Sequence, residues 1–185
     1  LLDESVNLQK VHLGETHPNT LRSICNLSVL YTAKGDFDKV RPILIQCWED
    51  QKTTLGENHP RTLTTMNCLA RLYMNEGNSK EALPLFLDCL RIRKDVLGDN
   101  HPDTLTTMNH LGRLHMIRGN YNNAEEFYEE CLKLRRVKLG ENHPDTLLTM
   151  NNLGMLYFKQ ENYENAEPLF RESLELRIKV LDKQH

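Results

Sequence analysis

The sequence of 185 residues lacks the features of several large protein classes. It has no apolar run near the 18 or so residues that a membrane-spanning helix needs, and its first residues do not resemble a signal peptide. Its net charge is only −3, so it lacks the excess of basic residues that is typical of nucleic-acid-binding proteins. We therefore expect neither a nucleic-acid partner nor a membrane partner.

Signatures of catalysis and of disulfide scaffolds are also missing. The five cysteines form no C-x-x-C pair and are odd in number, which favours a reducing, cytoplasmic setting. There is no glycine-rich phosphate loop, serines are few, and no Ser or Cys pairs with a His and an acid in a known motif. We expect the chain not to be an enzyme and to need no cofactor; catalysis would require a domain outside it.

What the sequence does contain is a repeat of 42 residues, which we define by three markers. His-Pro occurs at 17–18, 59–60, 101–102 and 143–144, and Leu-Gly and Thr-Leu recur in step with it. The final His185 falls 42 residues after His143. A period of this length without insertions indicates a stack of identical structural units.

Each repeat is predicted to be a pair of helices. Pro102 suits a first helical turn, the following apolar residues have helical spacing, and Gly119-Asn120 ends that helix. A second apolar stripe then leads to Gly140, where we expect a left-handed cap, as at Gly98. The whole chain, 1–185, is predicted to be a single array with hairpins at 18–55, 60–97, 102–139 and 144–181. Residues 1–13 match the second helix of a truncated preceding repeat and 182–185 the start of a truncated next one, so we interpret the chain as a piece of a longer protein.

The internal signature identifies the hairpin type. The last repeat has Met150, Leu153, Gly154, Tyr157, Ala166 and Phe170, which follow the tetratricopeptide pattern of large-x2-Leu-Gly-x2-Tyr and Ala-x3-Phe. Gly112 and Gly154 are expected to let the second helix cross the first closely. The predicted fold is therefore all-α, a right-handed superhelical solenoid of antiparallel helix hairpins with the first helices on the concave side.

Two rows of residues in register invite other interpretations. The repeated histidines would lie roughly 10 Å apart. Zinc ligands must lie within about 2.3 Å of one ion, so we expect loop-shaping histidines and no metal site. The same spacing exceeds the roughly 7 Å Cα limit for a disulfide. We therefore interpret Cys47, Cys89 and Cys131, with Ser173 in the fourth repeat, as small core residues.

The long second helix, the Leu-Gly-x-x-His-Pro closure and the Asn-Asn-Leu-Gly run at 151–154 resemble the repeats of kinesin light chains. Similar repeats occur in nephrocystin and in arrays attached to signalling NTPases. In kinesin light chains, concave Asn and basic residues hold short cargo motifs with acidic residues around an aromatic one. The resemblance implies an adaptor that binds proteins, with these roles at Asn67, Asn109, Asn151, Arg71 and Arg113.

The residues support such a groove independently. Asn67, Asn109 and Asn151 recur on the first helices, and an amide side chain can both donate to and accept from a peptide bond. Arg71 and Arg113 favour a carboxylate, and Met74, Met116 and Phe158 lie one turn later and offer adaptable apolar contacts. Cys25 breaks the Asn pattern in the first repeat, which predicts a weaker groove there. Alternatively, these Asn residues brace the helix–helix interface.

A second function stays open, a structural or regulatory array in a larger signalling protein without short-peptide binding. The ends of the chain predict a further property. Leu1, Leu2, Val6 and Leu8 would have no first helix before them, and the helix around Leu169, Phe170, Leu174 and Ile178 would have no successor. Since repeat arrays need polar terminal caps, we expect end-to-end self-association.

Overall fold

The structure, a computed structural model, describes residues 8–9, 11–14 and 17–182. Its regular elements in that part of the chain are α-helices, in agreement with the predicted all-α class. The chain divides into two compact units, an N-terminal unit up to Val96 and a C-terminal unit from Leu97 onward. Residues 8–9 and 11–13 are helical, and the prediction for 1–13 otherwise falls on residues outside the described ones, as do 183–185.

The N-terminal unit contains two helix pairs. The first is α1 (Pro18–Lys34) with α2 (Phe37–Leu55), and the second is α3 (Pro60–Glu76) with α4 (Ser79–Leu97), which ends at the unit boundary. The helix α3 packs on both α1 and α2. A core of Ile24, Leu27, Val40, Leu44, Cys47, Cys68, Leu69 and Leu72 joins the two pairs. The apolar stripe predicted for each helix is therefore what holds neighbouring pairs together.

The C-terminal unit repeats this arrangement. Its helices are α5 (Pro102–Ile117), α6 (Tyr121–Leu139), α7 (Pro144–Lys159) and α8 (Tyr163–Asp182). The helix α7 packs on α6, α8 and, to a smaller extent, α5. Ala124, Tyr128 and Leu132 of α6 share one core with Met150, Leu153, Leu156 and Tyr157 of α7. The helix α7 is thus held between its own partner, α8, and the second helix of the pair before it, α6.

The four repeated histidines are the N-caps of the first helices. His17, His59, His101 and His143 each adopt an extended backbone, and each is followed by Pro at the first helical turn. In each repeat the imidazole Nδ1 accepts a hydrogen bond from the backbone N–H two residues later, at 3.1 to 3.2 Å. The predicted loop-shaping role is confirmed, and its physical form is the capping of an otherwise unpaired helix N–H.

The glycines at the helix ends fall into two conformational classes. Gly35 and Gly77, after first helices, are left-handed, and their N–H groups bond back to the helix they end. The expectation of a left-handed cap at Gly98 and Gly140 is wrong for Gly140, because its ψ of 164° at φ 92° is an extended conformation of positive φ. This conformation is essentially confined to glycine and redirects the chain toward the His-Pro turn.

The small residues in the first helices mark close helix crossings. A Cβ atom added to Gly112 would lie 2.7 Å from Cε1 of the Tyr128 ring, and one on Gly154 would lie 2.9 Å from Cε1 of Phe170. These distances are shorter than van der Waals contact. The predicted role of Gly112 and Gly154, allowing the second helix to approach the first, is confirmed.

Candidate functional site

The candidate amides of the C-terminal unit occupy equivalent turns of α5 and α7. Asn109 is buried, and its Oδ1 accepts a hydrogen bond of 3.1 Å from Nδ2 of Asn152 on α7. Asn151, next to that partner, is half-buried. At least one amide of the predicted row therefore links two first helices, as the bracing alternative required.

The other candidates of this unit are more accessible. Arg113 is exposed on α5, and Met116 is half-buried one turn later. At the corresponding positions of α7, Met155 is exposed and Phe158 is 52% exposed, with its ring edge against Tyr163. Arg113 of α5 and Met155 of α7 thus occupy equivalent accessible positions of neighbouring first helices. Phe158 adds a second large apolar side chain on α7, one turn after Met155.

The equivalent residues of the N-terminal unit lie on α3. Asn67 is buried and Arg71 is half-buried. Met74 is only 2% exposed, so it contributes to packing and offers almost no surface, unlike Met116 in α5. The side chain of Cys25, on which a weaker groove in the first repeat was predicted, lies outside the described residues.

A buried arginine at the junction of α6 and α7 was not predicted from the sequence. Arg135 is 2% exposed, although no acidic side chain is among its hydrogen-bond acceptors. Its Nη1 donates to the Asp145 carbonyl and to the Thr149 hydroxyl, both at 2.7 Å. Its Nη2 donates to the Thr106 hydroxyl of α5 at 3.3 Å. One guanidinium therefore connects three helices of the unit.

A sequence signal for this residue was present. Arg93, Arg135 and Arg177 are spaced by 42 residues on the otherwise apolar face of the second helices, and Gln51 stands at the same position of α2. Arg93 is also buried and donates to the Thr64 hydroxyl at 3.4 Å, whereas Arg177 is exposed. A charged residue in register on a buried face indicates an internal hydrogen-bonding role, since an unsatisfied buried charge is costly.

A second polar link between α6 and α7 lies beside a groove that is lined by residues of α6, α7 and α8. The groove has a volume of about 580 Å³, and Leu132, Leu153 and Leu169 form part of its lining. The Tyr157 hydroxyl donates to Glu125 at 2.8 Å and to Glu129 at 3.2 Å. Burial and the two carboxylates raise the pKa of Tyr157, so the phenol remains a hydrogen-bond donor.

The cysteine row is part of the core, as predicted. Cys47, Cys89 and Cys131 are buried, and the Cys131 thiol donates to the Leu105 carbonyl at 3.2 Å. Burial raises the pKa of Cys131 despite the nearby Arg135 and Thr149, so the reactive thiolate is disfavoured. Within residues 8–9, 11–14 and 17–182, no group of three His, Cys, Asp or Glu side chains is arranged to hold a metal ion.

The helices in the described part of the chain do not meet the requirements for a membrane span. None of them combines the length and the apolarity needed to cross a bilayer.

Two family models, both described as Tetratricopeptide repeat, match the sequence. One covers 20–61 and 62–103, and the other covers 104–179, so together they extend without a gap over most of the chain. A search of curated protein sequences gave no significant match.

Solved structures show the same fold. A crystal structure from Podosopora anserina, described as kinesin light chain nearly identical TPR-like repeats, is 28% identical to this chain. It covers 98% of this chain and 85% of its own, with a TM-score of 0.73. BtubC (BKLC) from P. vanneervenii has a TM-score of 0.74 at 19% identity, covering 87% of this chain and 64% of its own, and supports the fold alone. The predicted solenoid class is confirmed by these matches, and the chain belongs to the tetratricopeptide repeat family, as a repeat array of the kinesin light chain type.

Proposed function

We propose that this protein-interaction module binds an extended peptide, acidic with an aromatic residue, along the accessible face of its first helices. The observation that carries the proposal is the combination at equivalent positions of α5 and α7. Arg113 is exposed on one helix, and Met155 and Phe158 are exposed on the other. A cation beside apolar surface suits a peptide that carries a carboxylate next to an aromatic side chain.

The arginines supply the electrostatic part of this recognition. Arg113 in the C-terminal unit and Arg71 in the N-terminal unit stand at the same position of their repeats. A guanidinium can bind a carboxylate through two parallel hydrogen bonds, which selects acidic side chains by geometry as well as by charge. Binding should therefore weaken as the salt concentration rises.

The amides divide into two roles under this proposal. Asn151 is half-buried and can offer its donor and acceptor to a peptide bond. Asn109 accepts from Asn152 and is nearly covered, so it acts as a positioning residue that fixes α5 against α7. Asn67 is buried like Asn109, and we assign it the same positioning role in the N-terminal unit.

Among the apolar candidates, Phe158 and Met116 retain accessible surface for a peptide, whereas Met74 contributes through the packing of α3. We expect the module to work in the cytoplasm, because its buried cysteine thiols suit a reducing compartment.

The test is the affinity of a short fluorescein-labelled acidic peptide with one Trp, measured by fluorescence polarisation at low and at physiological salt. Arg113→Glu should weaken binding by about tenfold or more, since a favourable charge pair becomes a repulsive one. Lys138→Glu makes the same charge change at an exposed position of α6 and should leave the affinity nearly unchanged. Asn151→Ala removes an amide from the proposed groove. Its matched control is Asn123→Ala, which removes an exposed amide on α6.

Equal effects of Arg113→Glu and Lys138→Glu would show that only net charge matters and would exclude a specific groove. No binding of any acidic aromatic peptide by the wild type would favour the alternative, a structural or regulatory array. The Asn109–Asn152 hydrogen bond and the burial of Met74 are the observations that favour that alternative.

A further inference from the structure

The groove lined by both second helices of the C-terminal unit, which we call the α6–α8 groove, is open. Its apolar lining includes Leu132 of α6, Leu153 of α7 and Leu169 of α8. Leu169 packs against the core that α6 and α7 share, so the groove is formed by contacts within this unit. Its volume of about 580 Å³ lies in the range of roughly 300–1,000 Å³ that is usual for binding sites in proteins.

The N-terminal unit has an equivalent groove that its own chain partly fills. Trp48 stands in α2 where Leu132 stands in α6, and Leu85 of α4 corresponds to Leu169 of α8. The half-buried indole, Leu85 and Ile92 pack on one core and line a groove of about 240 Å³. Trp48 is the single tryptophan of the sequence. The chain itself therefore shows that an indole fits at this position of the repeat.

A cation accompanies the indole in the N-terminal unit. Nζ of Lys52 lies 4.6 Å from the centroid of the Trp48 ring, within the roughly 6 Å of a cation–π attraction. The corresponding residue of α6 is Arg136, which lines the α6–α8 groove and donates to Glu172 of α8 at 2.7 Å. Because guanidinium N–H groups donate in the plane of the group, this hydrogen bond leaves the face of Arg136 available for an aromatic ring.

The α6–α8 groove also offers an acceptor for an indole N–H. Glu129 is exposed and lines the groove, and its Oε1 accepts from the Tyr157 hydroxyl at 3.2 Å. A carboxylate has further acceptor sites, and the indole N–H is a hydrogen-bond donor only. An apolar floor, a cation and a carboxylate thus match the apolar ring, the electron-rich face and the N–H group of a tryptophan.

We propose that the α6–α8 groove binds a tryptophan side chain of a protein partner, in the way that Trp48 occupies the equivalent groove of the N-terminal unit. Its lining differs from the face of the first helices that carries Arg113 and Phe158. The groove therefore gives the module a second contact with a partner. Two linked contacts raise the overall affinity above that of either one alone.

Methyl NMR spectroscopy with N-acetyl-tryptophanamide as the probe tests the site. In the wild type, the ring current of the probe should shift the methyl signals of Leu132 and Leu169. The Leu85 signals should stay in place, because Trp48 occupies the groove there. Shifts of equal size in the two units, or none in the α6–α8 groove, would overturn the proposal. Shifts confined to the Met155 methyl group would assign the probe to the first helices and would also overturn it.

Charge variants test the recognition of the ring. Arg136→Gln should weaken binding of the probe by about two- to fivefold, because the cation–π attraction is lost. Lys138→Gln removes an exposed charge of the same helix outside the groove and is the matched control. Equal affinities of these two variants would overturn the proposed recognition. Arg113→Glu should leave the affinity for the probe unchanged, which separates this site from the acidic-peptide site.

Exchanging the residues that distinguish the two grooves gives a reciprocal test. Leu132→Trp should fill the α6–α8 groove and weaken binding of the probe by about tenfold or more. Trp48→Leu should open the other groove, so that the Leu85 methyl signals respond to the probe. Circular dichroism checks that each variant is folded. A folded Leu132→Trp chain with wild-type affinity, or a folded Trp48→Leu chain whose Leu85 signals do not respond, would contradict the assignment.

Discussion

Two junctions between neighbouring helix pairs differ in what holds them together. Between α6 and α7, Arg135 donates to the Asp145 carbonyl and the Thr149 hydroxyl, and Tyr157 donates to Glu125. Between α2 and α3, the residue in place of Arg135 is Gln51. Its amide turns back to the Cys47 sulfur of its own helix at 3.3 Å.

The α2–α3 junction depends on apolar packing and one ion pair. Leu44 of α2 packs in a common core with Leu69 and Leu72 of α3, and the Arg41 guanidinium pairs with the Glu76 carboxylate. The buried Oε1 of Gln51 has no hydrogen-bond partner. The same repeat geometry thus forms with or without a buried guanidinium at the junction, and where the guanidinium is present its hydrogen bonds add stability and fix the register of the helices.

The largest effect is expected from exchanging Arg135 and Gln51, the two equivalent residues at these junctions. Arg135→Gln removes three hydrogen bonds from a charged donor, and we expect it to lower the free energy of unfolding of the C-terminal unit by about 2–3 kcal/mol. Urea denaturation would measure the loss, and hydrogen exchange should assign it to α6 and α7, with α2 and α3 as an internal control. The reciprocal Gln51→Arg should slow exchange in α2 and α3, because Thr65 stands in α3 where Thr149 stands in α7. Unchanged stability of Arg135→Gln would mean that the guanidinium does not hold the junction.

A smaller effect is expected from the helix crossing in the C-terminal unit. Gly112→Ala would place a methyl group 2.7 Å from the Tyr128 ring and should cost about 1–2 kcal/mol through the displacement of that ring. Ala70, buried at the equivalent position of α3, shows that the N-terminal unit accommodates this methyl group. Thermal unfolding of Gly112→Ala checks the prediction, and a variant as stable as the wild type would refute the proposed steric difference.

The smallest effect concerns pH. His115 stands where the other repeats have Tyr31, Tyr73 and Tyr157, and it stacks on Phe127 with ring centroids 5.6 Å apart. Burial, and secondarily the charge of Arg118, lower the pKa of His115 below 6.5. The unfolded chain therefore binds more protons near that pH. The contribution of neutral His115 to stability is fully present above pH 6.5 and is lost as the pH falls toward its lower folded pKa.

Unfolding measured by urea between about pH 7.5 and 5 would check this. His115→Tyr should lose less stability than the wild type over that interval, because the tyrosine has no charge to gain. Identical pH profiles for the wild type and the variant would exclude His115 as a contributor. The other histidines are common to both proteins and cancel in the comparison.

Much of the fold could be predicted because its determinants are local and repeated. The His-Pro pair specifies an N-cap and a first turn, and the glycines specify chain reversals, so the helix pattern could be predicted before any contact was known. Gly112 and Gly154 were correctly interpreted because a glycine inside a helix needs a packing reason. The left-handed cap predicted at Gly140 was wrong, because a glycine in the sequence indicates a positive φ but does not indicate the ψ that the following turn requires.

The candidate site was less predictable. The sequence placed Asn109 on a first helix but could not reveal that Asn152 of the next first helix would bond to its oxygen. Met74 and Met116 look alike in sequence, yet one is buried and the other retains exposed surface, because burial depends on neighbours distant in the chain. Arg135 was overlooked for the opposite reason, since its charge suggested solvent exposure and only the surrounding carbonyl and hydroxyl groups make its burial favourable.

The sequence by itself determined the repeat length, the helix pairs and the small residues at their crossings. These features follow from short-range backbone preferences and from a sequence pattern that occurs four times in the chain. Tertiary structure alone decided which polar side chains face each other across the junctions and which apolar residues of α8 stay uncovered. Those outcomes depend on the packing of one pair against another, and a periodic sequence gives equivalent positions the same residues whether or not a neighbour covers them.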